Sequence, residues 1–268
     1  MQPNTIAEHL DPETRKFYEH TLTVLNNSQI PFLVGGAYAF ERYTGIARHT
    51  KDLDIFVREA DCQRVLDTLA KVGYQTEMPF PHWLGKAYCD DDFVDVIFSS
   101  GNGLAPVDEL WFEHAPEDHI LDIPIKLVPA EEMLWSKMFI MERERFDGAD
   151  VAHLFHALAD QLDWERLTDR VGDHWRVLLS HLIMFGFIYP GEAAKIPQGL
   201  MRALLRQLES ELKQPAEPTK LCQGTLLSRA QYLIDIEQRG YRDARLEPLG
   251  NMTRREAKIW TKAIDEEE

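Results

Sequence analysis

The pattern of apolar and polar positions changes along the chain, from alternating strands and helices to helices alone. Residues 12–30 and 59–74 carry apolar side chains at helical spacing. Short apolar runs between Gly and Pro positions predict strands at residues 31–36, 52–57, 75–80, 84–90, 93–100 and 123–129. After about residue 160 the apolar spacing is helical, and a last amphipathic segment covers residues 225–241. The pattern predicts an α+β domain over residues 1–158 and a helical region over residues 159–268.

The second strand carries two acids one residue apart. Asp52 and Asp54 point to the same side of the strand, whereas Leu53 and Ile55 face the core. Neighbouring carboxylates repel each other, and a divalent cation removes that repulsion; hard oxygen ligands suit Mg²⁺. The alternative is the solvent-facing side of an edge strand.

A third acid, Asp95, is the single charge in the apolar strand of residues 93–100. If this strand lies beside that of Asp52 and Asp54, the three carboxylates converge and can hold two metal ions. Two ions about 3.5–4 Å apart activate an attacking hydroxyl and stabilise a leaving pyrophosphate. The acids at residues 90–92, by contrast, are expected at a solvent-exposed hairpin tip.

A glycine pair precedes the acidic strand. Gly35 and Gly36 leave the backbone bare where a strand turns into a helix, so amide N–H groups there can approach a phosphate. A tight turn without a ligand is the alternative. Arg48 and Thr50 can orient a phosphate or a carboxylate by hydrogen bonds, although a structural role is at least as well supported. Phosphate cradle and metal carboxylates together indicate chemistry on a nucleoside triphosphate.

In three features the chain resembles the nucleotidyltransferase fold of the DNA polymerase β superfamily. They are the glycine pair, the run Arg48-x-Thr50-x-Asp52-x-Asp54 and the later Asp95. More narrowly, they resemble its bacterial stand-alone branch near the toxin nucleotidyltransferases of abortive-infection systems. The resemblance covers residues 12–158. It implies a small mixed sheet with flanking helices, Mg²⁺ as cofactor with two ions, and transfer of a nucleotidyl group from a nucleoside triphosphate to a hydroxyl or phosphate. The implied metal ligands and catalytic residues are Asp52, Asp54 and Asp95, with Asp95 as the base, and the implied nucleotide-binding residues are Gly35, Gly36, Arg48, Thr50 and Lys137.

Lys137 lies in residues 130–155, which predict a helix, a short break at Asp147 and another helix. In the toxin-like branch a lysine precedes an arginine and a D-x-x-D pair, an order that Lys137, Arg145, Asp147 and Asp150 match. Lys137 can neutralise triphosphate charge or lie on a solvated helix face. Arg145 and Asp150 are equally consistent with a salt bridge, and Asp147 is better explained as a helix N-cap.

The net charge of −16 argues against long DNA or RNA as substrate, because phosphate neutralisation supplies most nucleic-acid affinity. A small molecule, a tRNA end or a protein remains open as acceptor. No segment reaches the length of a membrane span, and the first residues have no basic start or apolar stretch. Three cysteines without zinc spacing are expected to be reduced thiols. We therefore expect a cytoplasmic protein.

Two other functions stay open at this point. One is a non-catalytic member of the fold that binds a nucleotide or a protein, which the presence of all three carboxylates disfavours. The other is a metal-dependent hydrolase that cleaves phosphoester bonds with the same acids.

Overall fold

The computed structural model of the protein describes residues 10–48, 52–215 and 219–263. These residues form two compact units. The first comprises the described residues up to Pro129 together with those from Asn251 onward, and the second runs from Ala130 to Gly250. The division into residues 1–158 and 159–268 stays a prediction. It differs from these units in two ways: residues 130–158 belong to the second unit, and the last helix belongs to the first. Within the described part of the chain, no helix combines the length and apolarity needed to cross a membrane.

The first unit is built on a five-stranded sheet in the order β1-β2-β5-β4-β3. Strands β2 and β5 are parallel, whereas the other neighbours are antiparallel. The predicted α+β class with a mixed sheet is confirmed. The strands are β1 (Leu33–Val34), β2 (Asp52–Phe56), β3 (Gln75–Phe80), β4 (Leu84–Cys89) and β5 (Asp92–Ile97).

Helices and a small hairpin complete most of the first unit. The hairpin pairs β6 with β7 and is separate from the main sheet. It was not predicted as a hairpin, because only its second strand, the expected strand at residues 123–129, is apolar enough to stand out. The elements are α1 (Pro12–Ser28), α2 (Gly36–Thr44), α3 (Glu59–Lys71), α4 (Glu109–Glu113), β6 (Glu117–Ile120) and β7 (Ile123–Lys126).

One face of the sheet forms the core. The alternating residues Leu53, Ile55, Val94 and Val96 are each at most 1% exposed, as the strand periodicity predicts. Helix α3 packs on β3, β4 and β5, and α1 packs on α3. The acids of β2 and β5 therefore lie on the opposite face of the sheet.

The second unit is mostly helical. Its helices are α5 (Ala130–Lys137), α6 (Gly148–Leu158), α7 (Trp164–Val171), α8 (Trp175–Ile188), α9 (Gln198–Leu212) and α10 (Leu233–Glu237). Two short strands, β8 (Leu221–Cys222) and β9 (Arg242–Asp243), pair in parallel. Three 3₁₀ turns of the described chain lie between the helices, at Gly172–His174, Pro190–Lys195 and Gly224–Leu226. The last described helix is α11 (Arg254–Lys262), which belongs to the first unit.

Two helix predictions in the second unit were wrong in extent. The helix expected up to Asp147 ends at Lys137, because the chain then folds back: Met141 pairs with Phe146, and the Glu142 N–H donates to the Arg145 carbonyl. In the amphipathic segment 225–241, all of which the structure describes, the only α-helix is the short α10. Ser228 accepts a hydrogen bond from the Gln231 N–H, a local side-chain bond that competes with helix formation.

Candidate active site

Strand pairing brings the three predicted carboxylates together. Strands β2 and β5 are neighbours, and Asp54 lies directly opposite Asp95 in the register. Asp52 is two residues before Asp54 and faces the same side. One ligand oxygen from each of the three carboxylates lies within 4.8 Å of the others. The structure therefore meets the condition under which the three carboxylates converge, namely that the two strands are neighbours.

The donor set fits a hard divalent cation. The ligand atoms are all carboxylate oxygens, which Mg²⁺ prefers. Burial raises the pKa of Asp95, the nearby charge of Asp52 raises it further, and Lys86 opposes both effects. Burial and like charge thus disfavour the ionised form of Asp95, and a bound cation would stabilise that form.

The glycine turn borders the carboxylates. The Gly35 N–H donates to the Asp54 carbonyl at 3.0 Å, so this amide holds the turn on β2. Gly36 has a φ of +54°, and a Cβ there would lie only 2.6 Å from the Asp54 carboxyl carbon. The first bond of α2 runs from the Ala39 N–H to the Gly35 carbonyl. Amides in the first turn of a helix point out of its N-terminus, where anions bind.

Two residues near the carboxylates were missed by the sequence analysis. Lys86 on β4 lies opposite Asp95, and its Nζ is 2.7 Å from Asp95 Oδ1. Tyr18 on α1 is 1% exposed, and its hydroxyl donates to the Asp52 carbonyl at 2.9 Å. Burial and the charges of Asp54 and Asp52 raise the pKa of Tyr18, so its hydroxyl stays neutral. The short β4–β5 hairpin could have indicated Lys86, because its register places Lys86 opposite Asp95. No pattern in the sequence indicated Tyr18.

Two of the three acids at residues 90–92 lie at the exposed tip that the sequence predicts, whereas Asp92 is the half-buried first residue of β5. Asp90 and Asp91 are exposed between the two strands. Asp92 accepts a hydrogen bond from the Thr14 hydroxyl at 3.0 Å. The three-carboxylate group does not include them.

The remaining predicted nucleotide-binding residues have separate surroundings. The Arg48 guanidinium lies over the Phe40 ring, 4.4 Å from its centroid. Thr50 lies outside the described residues. Lys137 belongs to the second unit, where its Nζ lies 2.8 Å from both Asp147 and Asp150. The roles of these residues in nucleotide binding stay predictions.

The acidic partners of Lys137 differ in detail from the sequence interpretation. Asp147 occupies the N-cap position of α6 but makes no capping hydrogen bond with its side chain, because its oxygens bind Lys137 and Arg145. A bridge between Arg145 and Asp150 was one alternative; the structure shows bridges from Arg145 to Asp147 and from Lys137 to Asp150. The cluster links the end of α5 to the start of α6.

In sequence, part of this chain matches a family model of adenylyltransferases. The match covers residues 19–83, and its family model is described as aminoglycoside-2''-adenylyltransferase. This stretch includes the glycine turn, Asp52 and Asp54, and it ends before Asp95. The narrower place near the abortive-infection toxins stays a prediction. A search of curated proteins gives no match.

Several solved structures are similar at low sequence identity. The antibiotic-resistance factor ANT(2'')-Ia is 14% identical, with 76% of this chain and 97% of that chain covered and a TM-score of 0.41. The lincosamide antibiotic adenylyltransferase LnuA, bound to lincomycin, is 15% identical over 56% of this chain and 99% of that chain, with a TM-score of 0.39. An antigenic nucleotidyltransferase-like protein from Paracoccidioides brasiliensis is 13% identical over 68% and 91% of the two chains, with a TM-score of 0.47.

Proposed function

We propose that the protein is a nucleotidyltransferase that depends on Mg²⁺ and moves a nucleoside monophosphate from a nucleoside triphosphate to a hydroxyl of a small-molecule acceptor. The observation that carries the proposal is the cluster of Asp52, Asp54 and Asp95, whose ligand oxygens lie within 4.8 Å of one another. Bound Mg²⁺ would supply the positive charge that neutralises the triphosphate and activates the attacking oxygen. A phosphate acceptor is the variant that the family resemblance also allows.

Each residue then has a defined task. Asp52 and Asp54 would hold the metal, and Asp95 would complete the ligand set. As the acceptor oxygen bonds to the α-phosphorus, Asp95 takes the hydroxyl proton, and the bond to pyrophosphate breaks. Gly36 and the first-turn amides of α2 bind a phosphate oxygen. Tyr18 holds the main chain of β2 at Asp52.

The net charge of the chain and the matched family both favour a cationic, hydroxylated small molecule as acceptor. The family description names an aminoglycoside, a small hydroxylated molecule. The net charge of −16 attracts a cationic acceptor and repels long nucleic acids. An acceptor screen should therefore begin with cationic hydroxylated small molecules and include a tRNA and a protein pool as comparison arms.

Asp54→Ala tests the proposal most directly. We expect it to abolish turnover and to leave folding intact or improved, because it relieves crowding of like charges. The measurement is thermal unfolding of wild type and variant with ATP, GTP, CTP and UTP, each with and without Mg²⁺. A ligand at 100 times its Kd stabilises the folded state by about 2.7 kcal/mol. We expect a Mg²⁺-dependent rise in Tm with one nucleotide for wild type and none for the variant.

Asp91→Ala is the matched control, since Asp91 is an exposed acid in the adjacent turn, and it should behave like wild type. Product analysis distinguishes the alternatives: pyrophosphate with a modified acceptor indicates transfer, and nucleoside mono- or diphosphate indicates hydrolysis. A nucleotide-dependent rise in Tm without any product would indicate a binding protein. An Asp54→Ala variant that keeps wild-type turnover would overturn the proposal.

A further inference from the structure

Lys86 places a positive charge beside the carboxylate cluster. In the register of the sheet, Asp54 lies opposite Asp95 and Asp95 lies opposite Lys86. The side chains of Lys86 and Asp95 are only 20% and 15% exposed, and the ammonium is 2.7 Å from Asp95 Oδ1. A contact this short between half-buried groups is screened little by solvent.

The aromatic side chain of Phe93 also fixes the ammonium in place. The Lys86 Nζ lies 4.3 Å from the centroid of the Phe93 ring, a cation–π contact. Ion pair and ring together hold the charge at the cluster. A divalent cation bound by the same carboxylates would stand within a few ångströms of this ammonium, and the two positive charges would repel each other.

We propose that Lys86 is a positioning residue that serves as the counter-ion of Asp95 before a metal ion binds and so keeps the metal affinity of the cluster low until a nucleoside triphosphate is present. The negative charge of the triphosphate offsets the repulsion from Lys86. Metal and nucleotide therefore bind together, and the enzyme does not hold a divalent cation tightly without its substrate. This inference rests on the proposed function and deepens it.

The test measures Mn²⁺ binding without nucleotide. Free Mn²⁺ is followed by electron paramagnetic resonance at pH 8 for wild type and Lys86→Met, whose side chain is similar in length but uncharged. We expect the Kd for Mn²⁺ to fall at least tenfold in Lys86→Met. Lys86→Arg keeps the charge and should bind Mn²⁺ like wild type. Lys71→Met, at an exposed lysine in the last turn of α3, is the matched control and should also bind like wild type.

Circular dichroism checks that each variant is folded. Should Lys86→Met fail to fold, Lys86→Gln replaces it, because its neutral amide still donates to Asp95, and the same tenfold change is expected. An unchanged or higher Kd in the folded neutral variant overturns the inference. The Tm of wild type with nucleotides and Mg²⁺ reports separately on the proposed function. If the variant binds Mn²⁺ more tightly but no nucleotide affects wild type, the transfer reaction and the coupling to nucleotide are rejected. Lys86 would then remain only the counter-ion that weakens metal binding.

Discussion

The two glycines of the turn before α2 meet different neighbours. A Cβ at Gly35 would overlap the Phe56 ring, so this position is restricted by packing. A Cβ at Gly36 would lie 2.9 Å from the Asp54 Cβ and closer still to its carboxylate. The left-handed φ of Gly36 adds a second restriction. Gly36 is thus required both by the backbone conformation and by the position of the Asp54 side chain.

Gly36→Ala should therefore impair the site more than its backbone strain alone explains. A left-handed φ costs an alanine about 1–2 kcal/mol, and displacement of Asp54 adds to this. Gly73→Ala is the matched control, because Gly73 has a φ of +102° and a Cβ there would meet none of the described residues within 4 Å. Urea unfolding and Mn²⁺ titration are the measurements. The expectation is contradicted if Gly36→Ala loses no more stability than Gly73→Ala and binds Mn²⁺ with the affinity of wild type.

At the scale of elements, α5 and α6 are joined by charge. Lys137 at the end of α5 binds Asp147 and Asp150 at the start of α6. Burial raises the pKa of Asp147, but hydrogen bonds from Arg145 and the charge of Lys137 outweigh it and hold this pKa below its usual value. The pKa of Asp147 is lower in the folded protein than in the unfolded chain. The ionised carboxylate therefore stabilises the fold fully at pH values above the unfolded-state pKa. This stabilisation is lost as the pH falls through the folded-state pKa.

Asp147→Asn should destabilise the protein at neutral pH and flatten its acid sensitivity. Loss of hydrogen bonds to charged groups costs about 1.5–3 kcal/mol. The free energy of unfolding of wild type should approach that of the variant as the pH falls below about 3.9, the ordinary pKa of an aspartate side chain. Urea titrations at pH 7, 4 and 3 measure the difference. Asp160→Asn, at an exposed aspartate just after α6, is the control. A difference that stays constant with pH would contradict the assignment.

At the scale of the whole molecule, the first unit is made of two separate stretches of chain. Helix α11 returns to it after the second unit. Trp260 on this helix is 9% exposed and lies against His82, with ring centroids 6.0 Å apart. Gly101 leaves room for the indole, since a Cβ there would be 2.7 Å from Trp260 Cζ2. The Asn251 amide, just before the helix, donates to the Gly103 carbonyl at 2.9 Å.

Trp260→Ala should destabilise the first unit although it lies far from the sheet in sequence. Removal of a buried tryptophan costs about 3–5 kcal/mol. Lys258→Ala, at an exposed position of the same helix, should change the free energy of unfolding by less than about 0.5 kcal/mol. Chemical denaturation of both variants measures the effect. Equal stability of the two variants would show that α11 contributes nothing to the unit.

Local patterns determined much of the fold. The alternation in β2 and β5 depends only on neighbouring residues, so it showed in advance which side chains are buried and which carboxylates share a face. The hairpin between β4 and β5 was equally local, and its register places Lys86 opposite Asp95. That pair was predictable in principle, because a short turn sets the pairing of the strands that it joins. Short or weakly patterned elements were missed, among them β6 and the early end of α5.

Local sequence patterns were enough to predict the five strands of the main sheet, most helices and the three acids of the candidate site. That β2 and β5 are neighbours is seen only in the folded chain, because parallel pairing joins residues far apart in sequence and no local pattern encodes it. The contact of Tyr18 with Asp52 and the return of α11 to the first unit were decided in the same way. Periodicity reports which face of an element is buried, whereas the partner that buries it depends on the packing of the whole chain.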